Sequence, residues 1–312
     1  MDVTRSKQQL RRVLPVASAV FAAWLAAGCA VSHTTVVKPS GPPVQLQNAT
    51  KSDLITRYDQ QADTVTSLNA TVTMTLTAGS AYTGVIKQYH EVKGFILAQK
   101  PSTIRVIGQA PVVGTNIFDM ESDGDTFRIF IPSQNKFLTG PANLERPSAK
   151  PIENLRPQHL TGAIFWDGIG SQSPVLLEEA SDAGSQYYIL TVIRRTDKPA
   201  ANSADAEWEI AIKVWFDRGD LSVARRQAYD PGGKLASDVR YSRWDTFGAV
   251  RYPRQIDLTR PGNDYKLQIG ITKAAFNETI SADRFLLRQP PGAELVKVGE
   301  EPEPVKPAEP KN

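Results

Sequence analysis

The sequence predicts a mainly β protein: an incomplete antiparallel β-barrel (strongly curved sheet) with an N-terminal helix and a short helical insert capping the apolar concave side. Three observations predict this fold. Apolar and polar residues alternate with period two through much of 69–274, which is typical of strands with one apolar and one solvated face. Turn pairs such as Asp123-Gly124 separate these runs. Helical spacing is confined to two short segments, at about 50–65 and 151–166.

Residues 1–28 have the pattern of a bacterial lipoprotein signal peptide. Four basic residues precede an uncharged, mostly apolar run from Val13 to Ala27, which is shorter than the ~20 residues of a membrane span. Cys29 follows small residues at the end of this run and resembles the cysteine of a lipobox, so we expect its lipidation. Ala30, in the place where Asp marks inner-membrane retention, favours an outer-membrane protein on the periplasmic face. The alternatives are an ordinary secreted protein or a buried free cysteine.

Composition divides the mature chain into three parts. Residues 29–48 are Ser/Thr/Val/Pro-rich and are predicted to be a lipidated tether, and 295–312 are rich in Pro, Glu and Lys and are predicted to be a disordered tail. Between them, 49–294 should form one domain. It begins with a helix capped by Thr50 or Ser52. The strands are expected at about 70–78, 82–98, 102–109, 115–122, 126–132, 186–195, 207–217, 221–230, 234–245, 250–259 and 264–274.

The composition also excludes several functional classes. A chain with one cysteine cannot hold a cysteine-cluster metal site, and its three histidines leave little for metal chemistry, so we expect no metal or other cofactor. The nucleophile, phosphate-loop and metalloprotease motifs of enzymes do not occur, and a non-enzymatic protein is predicted. No charge run indicates nucleic-acid binding. The formal charge of +3 belongs to residues 1–28, which contain four basic residues and one acidic residue, leaving 32 of each.

The apolar side chains of the alternating strands are the candidate functional residues. They can fill an ordinary core, or line a cavity that receives acyl chains, since wide or incompletely closed sheets can enclose a ligand. The sequence leaves both alternatives open. The predicted inward residues are Val72, Met74, Leu76, Phe95, Leu97, Ile104, Val106, Phe127, Ile129, Trp208, Ile210, Ile212, Val214, Leu267 and Ile269, with Ile131 and Ile271 continuing two of the strands.

Four stretches resemble the LolA/LolB superfamily of periplasmic lipoprotein carriers and lipid-binding lipoproteins. They are the helix-to-strand segment Leu54–Leu76, the strand ending in Lys100-Pro101, the Asp-Gly hairpin within Ser122–Lys136, and the terminal Phe…Pro-Pro-x-Gly segment within Asp283–Gly292. The similarity covers roughly 52–140 and 250–295. It implies a helix-capped half-barrel with an apolar cavity for acyl chains.

The resemblance also implies residue roles. Lys100 takes the place of a basic residue near the cavity mouth that governs release of the bound lipoprotein in LolA. Val112 or Val113 takes the place of an exposed apolar loop residue that delivers lipoproteins to the membrane in LolB. The expected function is lipoprotein or lipid transfer, with a periplasmic carrier or another envelope protein as a possible partner. The alternative is a non-enzymatic envelope assembly or scaffold lipoprotein whose core is filled.

Overall fold

The computed structural model describes residues 45–79, 86–143, 154–170, 172–182, 184–195 and 208–299. Within these ranges the chain forms two α-helices and 15 strands. The helices are α1 (Lys51–Thr64) and α2 (Pro157–Ile164). The strands are β1 (Ser67–Ala78), β2 (Lys87–Gln88), β3 (Val92–Gln99), β4 (Thr103–Gln109), β5 (Asn116–Ser122), β6 (Thr126–Ile131), β7 (Lys136–Pro141), β8 (Val175–Asp182), β9 (Ser185–Arg195), β10 (Trp208–Asp217), β11 (Val223–Tyr229), β12 (Leu235–Phe247), β13 (Val250–Arg260), β14 (Tyr265–Phe276) and β15 (Glu294–Lys297).

The strands form one curved sheet in the order β15-β7-β6-β5-β4-β3-β1-β14-β13-β12-β11-β10-β9-β8, and β2 pairs with β1. Neighbouring strands are antiparallel except β15, which runs parallel to β7. The edge strands β8 and β15 do not pair with each other, so the sheet is not closed. The predicted fold class, a curved and incomplete antiparallel barrel with two helices, is confirmed.

Helix α1 starts at a reciprocal cap. The Thr50 hydroxyl accepts a hydrogen bond from the Asp53 main-chain N at 3.2 Å, and the Asp53 carboxylate accepts one from the Thr50 main-chain N at 2.9 Å. This capping box satisfies two donors that a helix start leaves free. Leu54, Tyr58 and Ala62 follow at intervals of four residues and are buried against the sheet. The capped, amphipathic helix is the one that the sequence predicted.

Helix α2 lies on the connection between β7 and β8. These two strands stand near opposite edges of the sheet, so the chain between them has to cross from one side of the sheet to the other. Pro157 occupies the first helical position, where its missing N–H costs nothing. This topology explains why the second half of the sheet can return, strand by strand, to pair with β1.

A C-terminal strap, residues 278–297, runs from the end of β14 to β7. We call the sheet face that contacts α1 and α2 the inner face, and the opposite one the outer face. On the outer face, Leu97 packs against Ile280 and Phe285 of the strap. Arg105 donates from Nη1 to two main-chain carbonyls of the strap, at 2.9 and 3.1 Å. The strap ends as β15, so the predicted disordered tail does not begin at 295.

Several strand predictions differ from the structure. Residues 82–85 of the predicted strand 82–98 lie outside the described residues, and the rest contains two separate strands, β2 and β3. Strands β7, β8 and β15 were not predicted. Residues 1–44, which contain the predicted signal peptide, Cys29 and most of the tether, lie outside the described residues, as do residues 300–312. Among the residues that are described, none belongs to a helix with the length and apolar character needed to cross a membrane.

Candidate functional site

The inner face is mainly apolar and carries most of the predicted lining residues. Leu76 and Ile212 are half-buried and pack against its core. Nine others are buried within it: Val72, Met74, Ile104, Val106, Phe127, Ile129, Val214, Leu267 and Ile269. They come from β1, β4, β6, β10 and β14, so the pattern identified one face across much of the sheet.

The prediction for β3 is one residue out of phase. Phe95 and Leu97 point to the outer face, where Phe95 is 41% exposed and Leu97 lies under the strap. Ile96 and Ala98 are the inner residues, and both pair with buried residues of β4. The error has a physical cause. The inner face of β3 belongs to the core, and the strap covers the outer face at Leu97, so buried residues do not alternate along this strand.

The start of β10 also departs from the prediction. Trp208, the first residue of the strand, is 58% exposed. Ile210 is half-buried and lies outside the core cluster. A β-bulge between Ile210 and Ile212 changes the register with β9, and such a bulge interrupts the alternation of faces. Inner-face packing in β10 is therefore provided by Val214 and by Phe216, which the sequence analysis did not select.

Residues 157–169, which we call the cover, lie on the inner face. The cover contributes six buried apolar side chains to the same core as the sheet. They are Leu160, Ala163, Ile164, Phe165, Trp166 and Ile169. The Trp166 ring stacks on Tyr58 of α1 with centroids 5.4 Å apart and planes 9° from parallel. The cover and α1 together therefore occupy the inner face.

Three adjacent strands hold the carboxyl end of α2 by their side chains. Arg226 on β11 donates from Nη1 to the carbonyl of residue 162 at 2.9 Å. The Tyr241 hydroxyl on β12 donates to that of residue 163 at 3.0 Å, and the Tyr252 hydroxyl on β13 to that of residue 164 at 2.9 Å. The last carbonyls of a helix have no partner within it. The sheet supplies these partners and so fixes the cover in place.

The protonation states of these groups suit their role as donors. Burial raises the pKa of the Tyr241 and Tyr252 hydroxyls well above the ordinary value for tyrosine, so both remain protonated. Burial opposes the charge of Arg226, but interactions with Tyr58, Tyr241 and Asp167 outweigh it and raise its pKa. The three donors therefore persist throughout the physiological pH range.

Lys100 joins the two helical segments. Its Nζ donates to the main-chain carbonyl of Ala62, near the end of α1, at 2.7 Å, and to that of Trp166 in the cover at 3.3 Å. A cation at a helix carboxyl end is favoured by the helix dipole. The basic residue that the resemblance assigned to a cavity mouth thus contacts the cover and α1 directly.

Two recesses on the described part of the protein lie away from the contact between the cover and the inner face. One, of about 480 Å³, lies beside the start of α1 and includes Asp53 and Arg57 in its lining. The other, of about 410 Å³, includes Arg243 and Arg254. Both are open and predominantly polar. The apolar surface of the inner face is instead filled by the cover. The described residues contain no cluster of three or more His, Cys, Asp or Glu side chains that could hold a metal ion.

The residues that hold the cover were missed at the sequence level. Arg226, Tyr241 and Tyr252 lie in predicted strands, but their partners are main-chain carbonyls more than sixty residues away. The only sequence signal is that each shares a face with apolar residues of its strand. An arginine in such a position stands out, since a charged side chain on a buried face requires a partner.

Comparisons with known proteins return similar folds. No protein-family model matches the sequence, and a search of curated proteins gives no match. Among solved structures, a LolA superfamily protein from Nitrosomonas europaea is 12% identical with a TM-score of 0.45, covering 77% of this chain and 99% of that one. The similarity to this protein is one of fold.

Two further structures are similar over comparable lengths. A DUF1329 family protein from Desulfovibrio piger is 17% identical with a TM-score of 0.47, covering 75% of this chain and 95% of that one. A putative outer membrane lipoprotein-sorting protein domain from Vibrio parahaemolyticus is 11% identical with a TM-score of 0.41, covering 74% and 94%.

Proposed function

We propose that this protein binds acyl chains of a lipid or lipoprotein on the inner face and takes part in lipoprotein or lipid transfer, without covalent chemistry. One observation carries the proposal. An apolar surface extends over the inner face of the sheet, and a short separate segment, the cover, lies on it, held at the end of α2 by side-chain bonds to three carbonyls. Such a segment can be displaced without breaking any strand pairing.

Replacing the cover by an acyl chain on the inner face exchanges two burial free energies of similar size. Each buried methylene contributes about 0.8 kcal/mol, so a 16-carbon chain gains roughly 11 kcal/mol on burial. Removing the cover exposes six apolar side chains, of which the larger ones contribute about 1.5–3 kcal/mol each. The free energy gained by burying the acyl chain is nearly cancelled by the free energy lost when the side chains of the cover are exposed. The acyl chain is therefore bound reversibly. Reversible binding suits transfer better than storage.

We further propose that the protein is anchored in the outer membrane through a lipidated Cys29 and faces the periplasm. Val112 and Val113 support contact with lipid, since they lie at the turn between β4 and β5 and are 95% and 71% exposed. Exposed apolar residues at a turn can enter the headgroup region of a bilayer. A periplasmic carrier or another envelope protein would then exchange the ligand with the inner face.

Native mass spectrometry of the protein purified from membranes tests acyl-chain binding. The expected result is a bound lipid or lipoprotein acyl group, or uptake of phospholipid offered in detergent. The Tyr252→Phe variant removes the bond to the carbonyl of residue 164 and nothing else, so it should raise the bound fraction several-fold. Tyr229→Phe is the matched control, because the Tyr229 hydroxyl bonds only to Gln227 on the same strand, away from the cover. A protein that stays ligand-free in all three forms would refute the proposal.

The filled inner face favours one other function, an envelope assembly or scaffold protein that uses the same fold with a permanent core. In that case the cover is a fixed structural element, and Tyr252→Phe would lower stability without any gain in ligand binding. The protein would instead copurify with a stable protein partner. The two functions therefore predict opposite outcomes for the same variant.

A further inference from the structure

Arg226 is a charged residue in an apolar place. It lies on β11 opposite Val214 of β10 and Val239 of β12, both of which are buried in the core. Its side chain extends towards the carboxyl end of α2, and the residue as a whole is only 9% exposed. A buried guanidinium is strongly unfavourable unless its charge and its donors are satisfied.

The structure satisfies this group only in part. Among the described residues, no carboxylate lies within ion-pair distance of the guanidinium, and the one hydrogen bond that it donates goes from Nη1 to the carbonyl of Gly162. Its Nε atom has no hydrogen-bond partner. The Tyr58 hydroxyl interacts with the charge but lies outside hydrogen-bond geometry. An arginine has five N–H donors, and at Arg226 the Nε donor is buried and left without a partner.

Displacement of the cover would change this environment. The bond to Gly162 would be lost, and Trp166, which packs against Tyr241 and Tyr58, would leave with the cover. The guanidinium would then stand free at one side of the apolar inner face. Four strands, β12, β13, β14 and β1, separate β11 from β3, the strand that precedes Lys100. The apolar residues on the inner face of these strands form a surface on which an acyl chain can lie.

We propose that the ligand of the inner face is an anionic amphiphile whose phosphate or carboxylate group binds Arg226 once the cover is displaced. The inference rests on the proposed function and names the chemical class of its ligand. The planar guanidinium can bind either anion through two parallel hydrogen bonds. Arg226 thus binds the carbonyl of Gly162 while the cover is in place, and the anionic group of the ligand once the cover is displaced. The two partners compete for the same guanidinium.

The test compares ligands that share a chain and differ in charge. Hexadecanoate is paired with hexadecanol, and 1-palmitoyl lysophosphatidic acid with 1-palmitoylglycerol, which separates a carboxylate source from a phosphate source. Affinities are measured by displacement of a fluorescent fatty alcohol from the wild type, Arg226→Gln and Tyr252→Phe. The wild type should prefer at least one anionic ligand. Arg226→Gln should lose about 10- to 100-fold in its preference for that ligand over the neutral partner, the range expected for hydrogen bonds to a charged group. The neutral partner should itself bind more tightly than it does to the wild type, as in Tyr252→Phe, because the bond to Gly162 is lost.

Tyr252→Phe separates this role from simple fixation of the cover. It loosens the cover without removing a charge, so it should shift anionic and neutral ligands by the same factor. If Arg226→Gln also shifts both equally, or if the wild type does not distinguish the members of a pair, the inference is wrong while acyl binding stands. If no ligand binds to any form, the proposed function itself fails. Should Arg226→Gln not fold, Arg226→Lys keeps the charge but not the paired donors, and a loss of anionic preference of about 10-fold is expected.

Discussion

His159 lies within α2 and is half-buried beside a tyrosine and two arginines. Its Nδ1 is 2.7 Å from the Tyr265 hydroxyl oxygen, and its Nε2 is 3.3 Å from Nη2 of Arg260. Because the guanidinium can only donate, Nε2 is assigned as the acceptor and Nδ1 as the protonated nitrogen. Burial, followed by the charges of Arg260 and Arg156, holds the pKa of His159 well below its ordinary value. The imidazole is therefore neutral in the folded protein.

This neutral histidine predicts acid sensitivity. Below about pH 6.5 the unfolded chain binds a proton that the folded chain does not, so the stability contributed by His159 is complete above that pH and falls as the pH decreases. The loss is at most about 1.4 kcal/mol per pH unit. We expect the wild type to lose more stability than His159→Gln between pH 7.5 and 5.5, measured by urea unfolding. The exposed His90 provides the control, since His90→Gln should follow the wild type. Parallel pH profiles for wild type and His159→Gln would contradict the prediction.

At the scale of elements, strands with one covered face were predictable from the sequence. Strands β1 and β14 alternate as their single packed face requires, and the residues predicted to point inward on them lie on that face. Strand β3 is covered on its inner face and, at Leu97, on its outer face as well, so burial does not alternate along it. Strand β8 is an edge strand with mostly exposed residues and has no alternation to read. The hydrophobic pattern of a strand therefore depends on how many of its faces are covered. That number is a property of the fold as a whole.

The contacts of the cover could not be predicted in this way. They join α2 to three strands that are adjacent in the sheet and distant in sequence. Helical spacing in 151–166 indicated a short insert, and the apolar positions indicated burial. Which side chain of the sheet donates to which carbonyl of α2 depends on the path of the crossover between β7 and β8. That information is held by the topology and not by any local pattern.

Helix α2 is the element whose movement the proposed function requires. Hydrogen–deuterium exchange measures this directly, because local opening exposes main-chain amides. On addition of an anionic amphiphile, the amides of residues 158–169 should exchange faster, whereas those of β1, β13 and β14 should keep their protection. Tyr252→Phe should show faster exchange in 158–169 before any ligand is added. Unchanged protection of 158–169 in a demonstrably ligand-bound sample would show that the cover does not move.

At the scale of the whole molecule, the order of the strands leaves the sheet open and places the crossover segment on its inner face. The chain builds β3 to β7 outward on one side of β1, crosses over with α2, and returns from β8 to β14 on the other side. The crossover therefore packs on the inner face of an open sheet. Closing the sheet into a complete barrel would need β8 to pair with β15. An open sheet instead leaves its interior accessible once the crossover segment moves.

Membrane attachment also depends on the whole chain. Without residues 1–28 the chain has 32 basic and 32 acidic residues, so net charge provides no attraction to an anionic bilayer. Val112 and Val113 are only two side chains, and burying them contributes about 1.5–3 kcal/mol each at most. Stable anchoring requires two acyl chains or an equivalent pair of signals.

The proposed lipid on Cys29 supplies what the folded domain lacks. Cys29→Ala should therefore move the protein from the membrane fraction to the soluble fraction, with loss of the lipid mass in intact-protein mass spectrometry. A Val112→Ser/Val113→Ser variant should remain in the membrane fraction, because the anchor is intact, and should transfer lipid more slowly between vesicles. If Cys29→Ala stays with the membrane and the wild-type mass equals that of the unmodified, leader-cleaved chain, the protein is held by some other means. The apolar turn would then be the first surface to test, since its two valines are the most exposed large apolar side chains among the described residues.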